Sequence, residues 1–252
     1  MLQQQTLALL HELKLTGMAH ALEEQHGLPD IAQLSFEDRF ALLLEREKTE
    51  RENRRLTRLL QLARFRINAC IEDVNFRVKR GLDRSLLLRL AGGEWIREHA
   101  VLLITGPTGT GKSWLACALG QSACRQGHSV RYFRLPRFLN EDLVRAHADG
   151  SYGKLLTHLS KTELVVFDDW GMAPIGDRDR RDLLEVIDDR AGRRATLLTS
   201  QVPVDHWHDL IGDATFADAI LDRLVHHAYR ITLTGGSLRR LAAGESEAEH
   251  QT

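Results

Sequence analysis

The chain has 252 residues, of which 43% are hydrophobic and 27% charged, a balance that suits one large or two smaller globular domains and excludes collagen-like and wholly disordered chains. Its 34 basic and 35 acidic residues leave a net charge of −1, which gives the whole molecule no long-range attraction for a polyanion. No apolar run approaches the roughly 18 residues of a membrane span, and Met1-Leu2-Gln3-Gln4-Gln5 has no basic segment followed by an apolar stretch, so a cytoplasmic protein without a signal peptide is expected.

From Leu7 to about Ala69 the apolar residues recur at helical spacing (Leu7, Leu10, Leu13, then Leu56, Leu59, Leu60, Ala63), which predicts a helical module, residues 1–70, broken at Gly17, Gly27 and Pro29. Ser35 followed by Glu37 and Asp38 predicts the start of a long helix, because a hydroxyl and acids answer the unpaired N–H groups of a first turn. Charge is segregated along this module. Met1 to Glu45 holds 2 basic and 7 acidic residues, whereas Arg46 to Arg66 holds 8 basic and 3 acidic ones. On a helix Arg51, Arg54, Arg55 and Arg58 fall at i, i+3, i+4 and i+7 and form one basic stripe, able to follow a phosphate backbone without reading bases. A solvated face paired with the acidic segment upstream is the competing reading.

After Ile71 short apolar runs alternate with helical patterns, the signature of a parallel sheet with crossover helices. The expected strands are Val101 to Thr105, Val130 to Arg134, Leu164 to Phe167, Ala195 to Thr199 and Tyr229 to Leu233, with helices starting after Lys112, Pro136, Arg178 and Asp213. Residues 71–241 would form this α/β domain, and the small, acidic end 242–252 reads as a disordered tail.

Gly106-Pro107-Thr108-Gly109-Thr110-Gly111-Lys112-Ser113 fits G-x-x-x-x-G-K-[ST] and lies between an expected strand and a helix that opens at Trp114. Glycines at those places let backbone N–H groups turn inward around phosphate oxygens, and the helix N-terminus adds partial positive charge. Lys112 would reach the terminal phosphates and Ser113 would offer a hydroxyl to Mg²⁺. Such a loop needs a second part, a buried strand ending in an acid on the metal side. Leu164-Val165-Val166-Phe167-Asp168-Asp169 supplies it, with Asp168 toward the metal and Asp169 placed to polarise the attacking water. Asp168 to Gly171 also reads D-x-x-G, yet no N-K-x-D for guanine recognition occurs, so adenine is favoured.

The polar strand end Thr199-Ser200-Gln201 would sense the γ-phosphate or the lytic water through Ser200 or Gln201, with a simple turn before Pro203 as the alternative. Arg223, late in the helical pattern Ala214 to His227, would act as a finger on a neighbouring subunit's nucleotide; a solvated helical arginine competes. Arg239 and Arg240, after Gly235-Gly236-Ser237, are further candidates for a phosphate contact in cis. Arg145 and Lys154, between the second and third strands, are candidate DNA contacts beside Arg54, Arg55 and Arg58. The twelve histidines show no ligand spacing and read as core or surface side chains; Trp95, Phe133, Phe167 and Trp170 read as core. Cys70, Cys117 and Cys124 are odd in number, lack CxxC spacing, and read as buried or idle thiols.

Taken together, Leu15-Thr16-Gly17-Met18, Arg51-Glu52-Asn53-Arg54-Arg55-Leu56, the phosphate loop, Asp168-Asp169-Trp170-Gly171, Thr199-Ser200-Gln201 and Gly235-Gly236-Ser237-Leu238-Arg239 resemble the IstB family, helper ATPases of insertion-sequence transposition. Relatives of that family include the helicase loader DnaC and the initiator DnaA, all of the AAA+ class. The resemblance implies an AAA+ P-loop domain whose sensor strand lies between the phosphate-loop strand and the Asp168 strand. It also implies Mg·ATP bound between subunits of a homo-oligomer, ATP-driven assembly on double-stranded DNA, and a transposase partner encoded beside the gene.

Gly106 to Ser113 with Trp114 then become the nucleotide-binding set, Ser113 and Asp168 the metal side, and Lys112, Asp168, Asp169, Ser200 or Gln201, and Arg223 the catalytic set. Asp169 is one methylene shorter than the Glu that many AAA+ proteins carry there, which bears on hydrolysis rate and not on ATP binding. The short segment after the last strand leaves no room for a helical lid, so partner subunits or the helical leader would close the site. A DnaC-like replicative helicase loader is the alternative function. A small-molecule kinase is a third, disfavoured because no segment stands out for a second substrate pocket.

Overall fold

All five expected strands form, and their order is β2-β3-β4-β1-β5 with every pairing parallel. They are β1 (Val101–Thr105), β2 (Val130–Arg134), β3 (Leu164–Trp170), β4 (Ala195–Ser200) and β5 (Tyr229–Thr232) in a computed structural model that describes residues 2–238. Leu164 to Phe167 are fully buried because β3 is covered on both faces, which is why that strand reads as an unbroken apolar run. The helices in chain order are α1 (Leu2–Glu12), α2 (Thr16–Gly27), α3 (Phe36–Ala63), α4 (Arg84–Ala91), α5 (Glu94–Arg97), α6 (Lys112–Arg125), α7 (Leu135–Arg137), α8 (Val144–Ala148), α9 (Tyr152–Lys161), α10 (Asp177–Arg190), α11 (Trp207–Ile211) and α12 (Ala214–Val225); a π-helical stretch, Phe138–Leu143, joins α7 to α8.

By compactness the chain divides into Met1–Arg58 and Leu59–Thr252, a boundary that falls within α3. In the first unit, the Ser35 hydroxyl accepts from Asp38 N at 3.1 Å, capping α3 as its sequence predicts. Gly27 does end a helix, but Gly17 does not break one. It lies inside α2, and the break comes at Lys14, whose φ is 59°. The need for glycine at 17 is steric: a Cβ there would stand 2.7 Å from Glu47 Cα on α3. That close approach lets the buried Glu47 carboxylate accept from the N–H groups of Gly17 (2.7 Å) and Met18 (3.2 Å), two donors that a first helical turn leaves unpaired. Arg51 in turn donates to Glu47 at 2.6 Å.

In the second unit the core packs around Phe133, Phe138, Phe167, Trp170 and Trp207. Asp83 caps α4 through Ser85 N and Leu86 N, and Asp213 caps α12 through Phe216 N. Arg190, 1% exposed at the end of α10, spends its guanidinium on the carbonyls of Leu159, Thr162 and Ala195, which ties α9 and β4 to α10. Cys117 and Cys124 are buried, and burial pushes their thiols up to about 11 and about 12, so both stay protonated at neutral pH. Among the described residues no helix is long and apolar enough to cross a membrane.

Gly17→Ala should cost the helical unit about 1–3 kcal/mol, the usual penalty for forcing a methyl into a filled contact. Denaturation followed by far-UV circular dichroism checks it, and an unchanged midpoint would mean that α2 and α3 can separate without loss.

Candidate nucleotide-binding site

The loop between β1 and α6 turns through three glycines in left-handed or extended positive-φ backbone, Gly106 (146°), Gly109 (84°) and Gly111 (94°). Each is also closely packed. A Cβ at Gly106 would meet Leu233 O at 2.3 Å, and one at Gly109 would meet the Ser237 hydroxyl at 2.3 Å. The segment after β5 thus crosses the outside of the loop, and Leu238 N donates to Gly109 O at 2.9 Å. This contact gives Gly235-Gly236-Ser237-Leu238 its purpose. Arg239, Arg240 and 242–252 lie outside the described residues.

Lys112 opens α6 and is buried, its ammonium donating to Gly106 O (2.7 Å) and Pro107 O (2.9 Å). Burial depresses its pKa below the usual lysine value, while the nearby carboxylates of Asp168 and Asp169 pull the other way. Thr110 is fully buried, and its hydroxyl donates to Pro107 O at 2.8 Å. Trp114 follows on the first turn of α6 and is half-buried. Phosphate oxygens placed in the loop would take over the Lys112 donors that its own carbonyls now hold.

Asp168 is fully buried at the end of β3 and collects three hydroxyls: Ser113 from α6 on Oδ1 at 2.8 Å, Thr199 from β4 also on Oδ1, and Tyr132 from β2 on Oδ2 at 2.5 Å. The next residue leaves the strand's regular course. Register against β4 shifts between Phe167 and Trp170, and Asp169 takes φ 67°. This bulge lengthens β3 to Trp170, beyond the expected end at Phe167, and turns the second carboxylate toward Arg134, 3.1 Å away. Asp169 N donates to Thr199 Oγ1 at 3.1 Å, so one threonine orders both acids.

The two sensor candidates part company. Gln201 accepts a hydrogen bond from the Thr108 hydroxyl of the phosphate loop at 2.5 Å. Ser200 is buried and faces away, donating to Trp170 O (2.9 Å) and accepting from Val202 N (3.0 Å), whereas Gln201 lies just past the end of β4. Arg223 on α12 is held in cis by Asp188 of α10 at 2.6 Å and by Ala219 O, so use as a finger would require that pair to open. Arg54 donates to Thr16 Oγ1 at 2.9 Å, and Arg54, Arg55 and Arg58 are all exposed on α3. Arg145 and Lys154 are exposed on α8 and α9.

Three side chains at this site escaped the sequence reading: Tyr132, Arg134 and Arg80. The first two were findable in principle, since parallel pairing of β2 with β3 sets Arg134 level with Asp168 and Tyr132 two residues back. Arg80, 5% exposed, donates to Thr110 O at 3.0 Å and stands where a Cβ on Gly111 would be. Nothing in its local sequence signals that.

A glycine-bent loop between strand and helix, a buried lysine at the helix start and a strand-end carboxylate tied to the hydroxyl of the next residue define a P-loop nucleotide-binding protein, and β4 lies between β1 and β3, the strand order that the AAA+ resemblance implies. The chain belongs to the IstB-like ATP binding protein family, whose profile matches residues 8–246. It is 51% identical to an insertion sequence ATP-binding protein of Sinorhizobium fredii over 240 residues, covering 95% of this chain and 98% of that one. An insertion sequence ATP-binding protein of Mycobacterium tuberculosis is 32% identical over 91% of this chain and 92% of its own. Among solved structures, DnaI superposes with a TM-score of 0.58 at 19% identity, over 71% of this chain and 94% of that chain. AMPPCP-bound DnaA from Aquifex aeolicus does so with 0.54 at 17% identity, over 74% and 56%.

Tyr132 has an alkaline consequence. Burial, and after it the charge of Asp168, holds its phenol well above the ordinary value. The unfolded chain releases that proton near pH 10 while the folded one keeps it, so stability is complete below about pH 10 and declines above it. Tyr132→Phe should flatten this decline, as read from denaturation midpoints across an alkaline series. A slope equal to wild type would mean that Tyr132 ionises freely in the fold.

Proposed function

We propose that the chain binds and hydrolyses Mg·ATP, assembles as a homo-oligomer with ATP between subunits on double-stranded DNA with little sequence preference, and recruits or activates the transposase of an insertion sequence, working in the cytoplasm. The carrying observation is the Ser113–Asp168 contact at 2.8 Å beside the buried Lys112. A hydroxyl and a carboxylate that already touch can share the coordination shell of one divalent ion, so Ser113 and Asp168 would hold Mg²⁺, which supplies charge neutralisation at the β- and γ-phosphates. Lys112 would bind the terminal phosphates, Asp169 would take a proton from the attacking water, and Gln201, already on the phosphate loop through Thr108, would register the γ-phosphate. The insertion-sequence relatives favour transposition over the loading of a replicative helicase.

Lys112→Ala should abolish binding of a fluorescent ATP analogue, and Asp169→Asn should keep binding but lower turnover by about a hundredfold or more, the usual worth of a general base. Equal ATP affinity in Lys112→Ala and wild type would sink the reading. For Arg223, mixing the Asp169→Asn and Arg223→Ala proteins should restore part of the activity if the finger acts in trans.

For DNA, Arg54, Arg55 and Arg58 supply the phosphate contacts of the leader. Replacing all three with Ala should flatten the slope of log affinity against log salt by up to about 3 per subunit, on two unrelated duplexes alike. A loss confined to one duplex would mean base readout.

A further inference from the structure

Three basic side chains among the described residues are deeply buried, Lys112, Arg190 and Arg80, and they differ in what answers the charge. Lys112 lies near the carboxylates of Asp168 and Asp169, which oppose the effect of burial on its pKa. Arg190 distributes its guanidinium over the carbonyls of Leu159, Thr162 and Ala195 and the Thr196 hydroxyl. Arg80, 5% exposed, has neither kind of support. Its Nη1 donates to Thr110 O at 3.0 Å, its buried Nε has no hydrogen-bond partner, and burial lowers its pKa with no carboxylate pulling the other way. A guanidinium taken out of water without an anion is unfavourable, so this one is short of a counter-ion.

The chain nevertheless holds it against the phosphate loop. Thr234 N, just after β5, donates to Arg80 O at 2.8 Å. Gly81, at φ 74°, lies so close to the same strand that a Cβ would meet Thr232 O at 2.8 Å, and a Cβ at Gly111 would meet Arg80 Nη1 at 2.6 Å. The peptide between Thr110 and Gly111 is trans, so its carbonyl and its N–H point in opposite directions. With Thr110 O turned to the guanidinium, the Gly111 N–H is turned away from it and pairs with no described residue. A cation on the carbonyl polarises the peptide and makes that N–H a stronger donor. It belongs to the run of loop N–H groups that precedes Lys112 and can meet a phosphate oxygen.

We propose that Arg80 is a positioning residue for the nucleotide: it fixes the Thr110–Gly111 peptide with its N–H free for phosphate, and its unanswered charge is balanced by the nucleotide's phosphate chain. The proposal rests on the nucleotide-binding reading above and deepens it. The loop then acts with two buried cations, Lys112 from its own sequence and Arg80 from the segment before α4.

Titration of the full chain with a fluorescent ATP analogue and Mg²⁺ compares wild type with three variants, and thermal unfolding midpoints are measured without nucleotide. Arg80→Lys should bind within about threefold of wild type, since lysine keeps the charge and loses only the planar fork. Arg80→Gln keeps a donor for Thr110 O without the charge, and Arg80→Met keeps neither. Both should bind about tenfold or more weakly, the worth of a hydrogen bond to a charged group. The midpoint of Arg80→Met should fall by no more than about 4 °C, because losing one carbonyl's partner is offset by removing an unpaired buried charge. A much larger fall in both neutral variants, or failure of both to fold, would make Arg80 a staple like Arg190 and overturn the proposal. Wild-type affinity in Arg80→Gln would mean that Thr110 O needs only a donor, and Arg80→Lys no better than Arg80→Met would mean that charge is irrelevant; either overturns it. Wild type that binds no ATP analogue would refute the nucleotide reading itself, whereas undiminished binding in all three variants would refute only the role of Arg80.

Discussion

One buried carboxylate organises the carboxyl end of the sheet. Asp168 accepts hydroxyl hydrogen bonds from Tyr132, Thr199 and Ser113, and so joins β2, β4 and the first turn of α6 to β3 at a single point. A carboxylate removed from water must have its lone pairs answered, and here every donor comes from a different element. The strand order, the depth of Ser113 in the loop and the direction of Asp169 are all constrained by that requirement. The arrangement is tightly tied at Asp168 and open one residue further on, where Asp169 meets a half-exposed arginine.

The sheet was legible because a parallel strand covered on both faces is written as an apolar run, and because the runs of β1, β3 and β4 end in a glycine, an acid pair and a polar cluster that mark their carboxyl ends. The helices at Lys112, Leu135, Asp177 and Ala214 followed from the same alternation. Legibility failed where the cause was tertiary. Gly17 reads as a helix breaker but serves a close helix contact with Glu47, and β3 ran three residues past its expected end through a bulge that has no local sequence signal. Ser200 and Gln201 were indistinguishable until their hydrogen bonds put one on Trp170 and the other on the phosphate loop. Tyr132, Arg134 and Arg80 became visible only when neighbouring strands and loops were brought into register.

Electrostatics follows the same lesson at larger scale. A net charge of −1 describes a molecule with little field, yet arginines are gathered on α3 and around β2 and α8, while in the first 45 positions acids outnumber bases 7 to 2. Attraction for a polyanion is a property of such surfaces at distances shorter than the screening length, about 8 Å at physiological salt, so whole-chain charge is a poor guide to it. Repetition of one basic surface around an oligomer would multiply its effect without any change in composition.

The bulge in β3 also sets what the chain can place at position 169. With φ at 67° the backbone there is in a region that L-residues with long side chains avoid, while Asp and Asn, whose short polar groups can bond their own main chain, enter it readily. The shorter acid at 169 is thus matched to its backbone: a glutamate would add reach toward the nucleotide and at the same time oppose the turn that aims it. Side-chain length and strand geometry at this position are coupled variables, and a chain that regularised β3 would be freed to carry the longer acid.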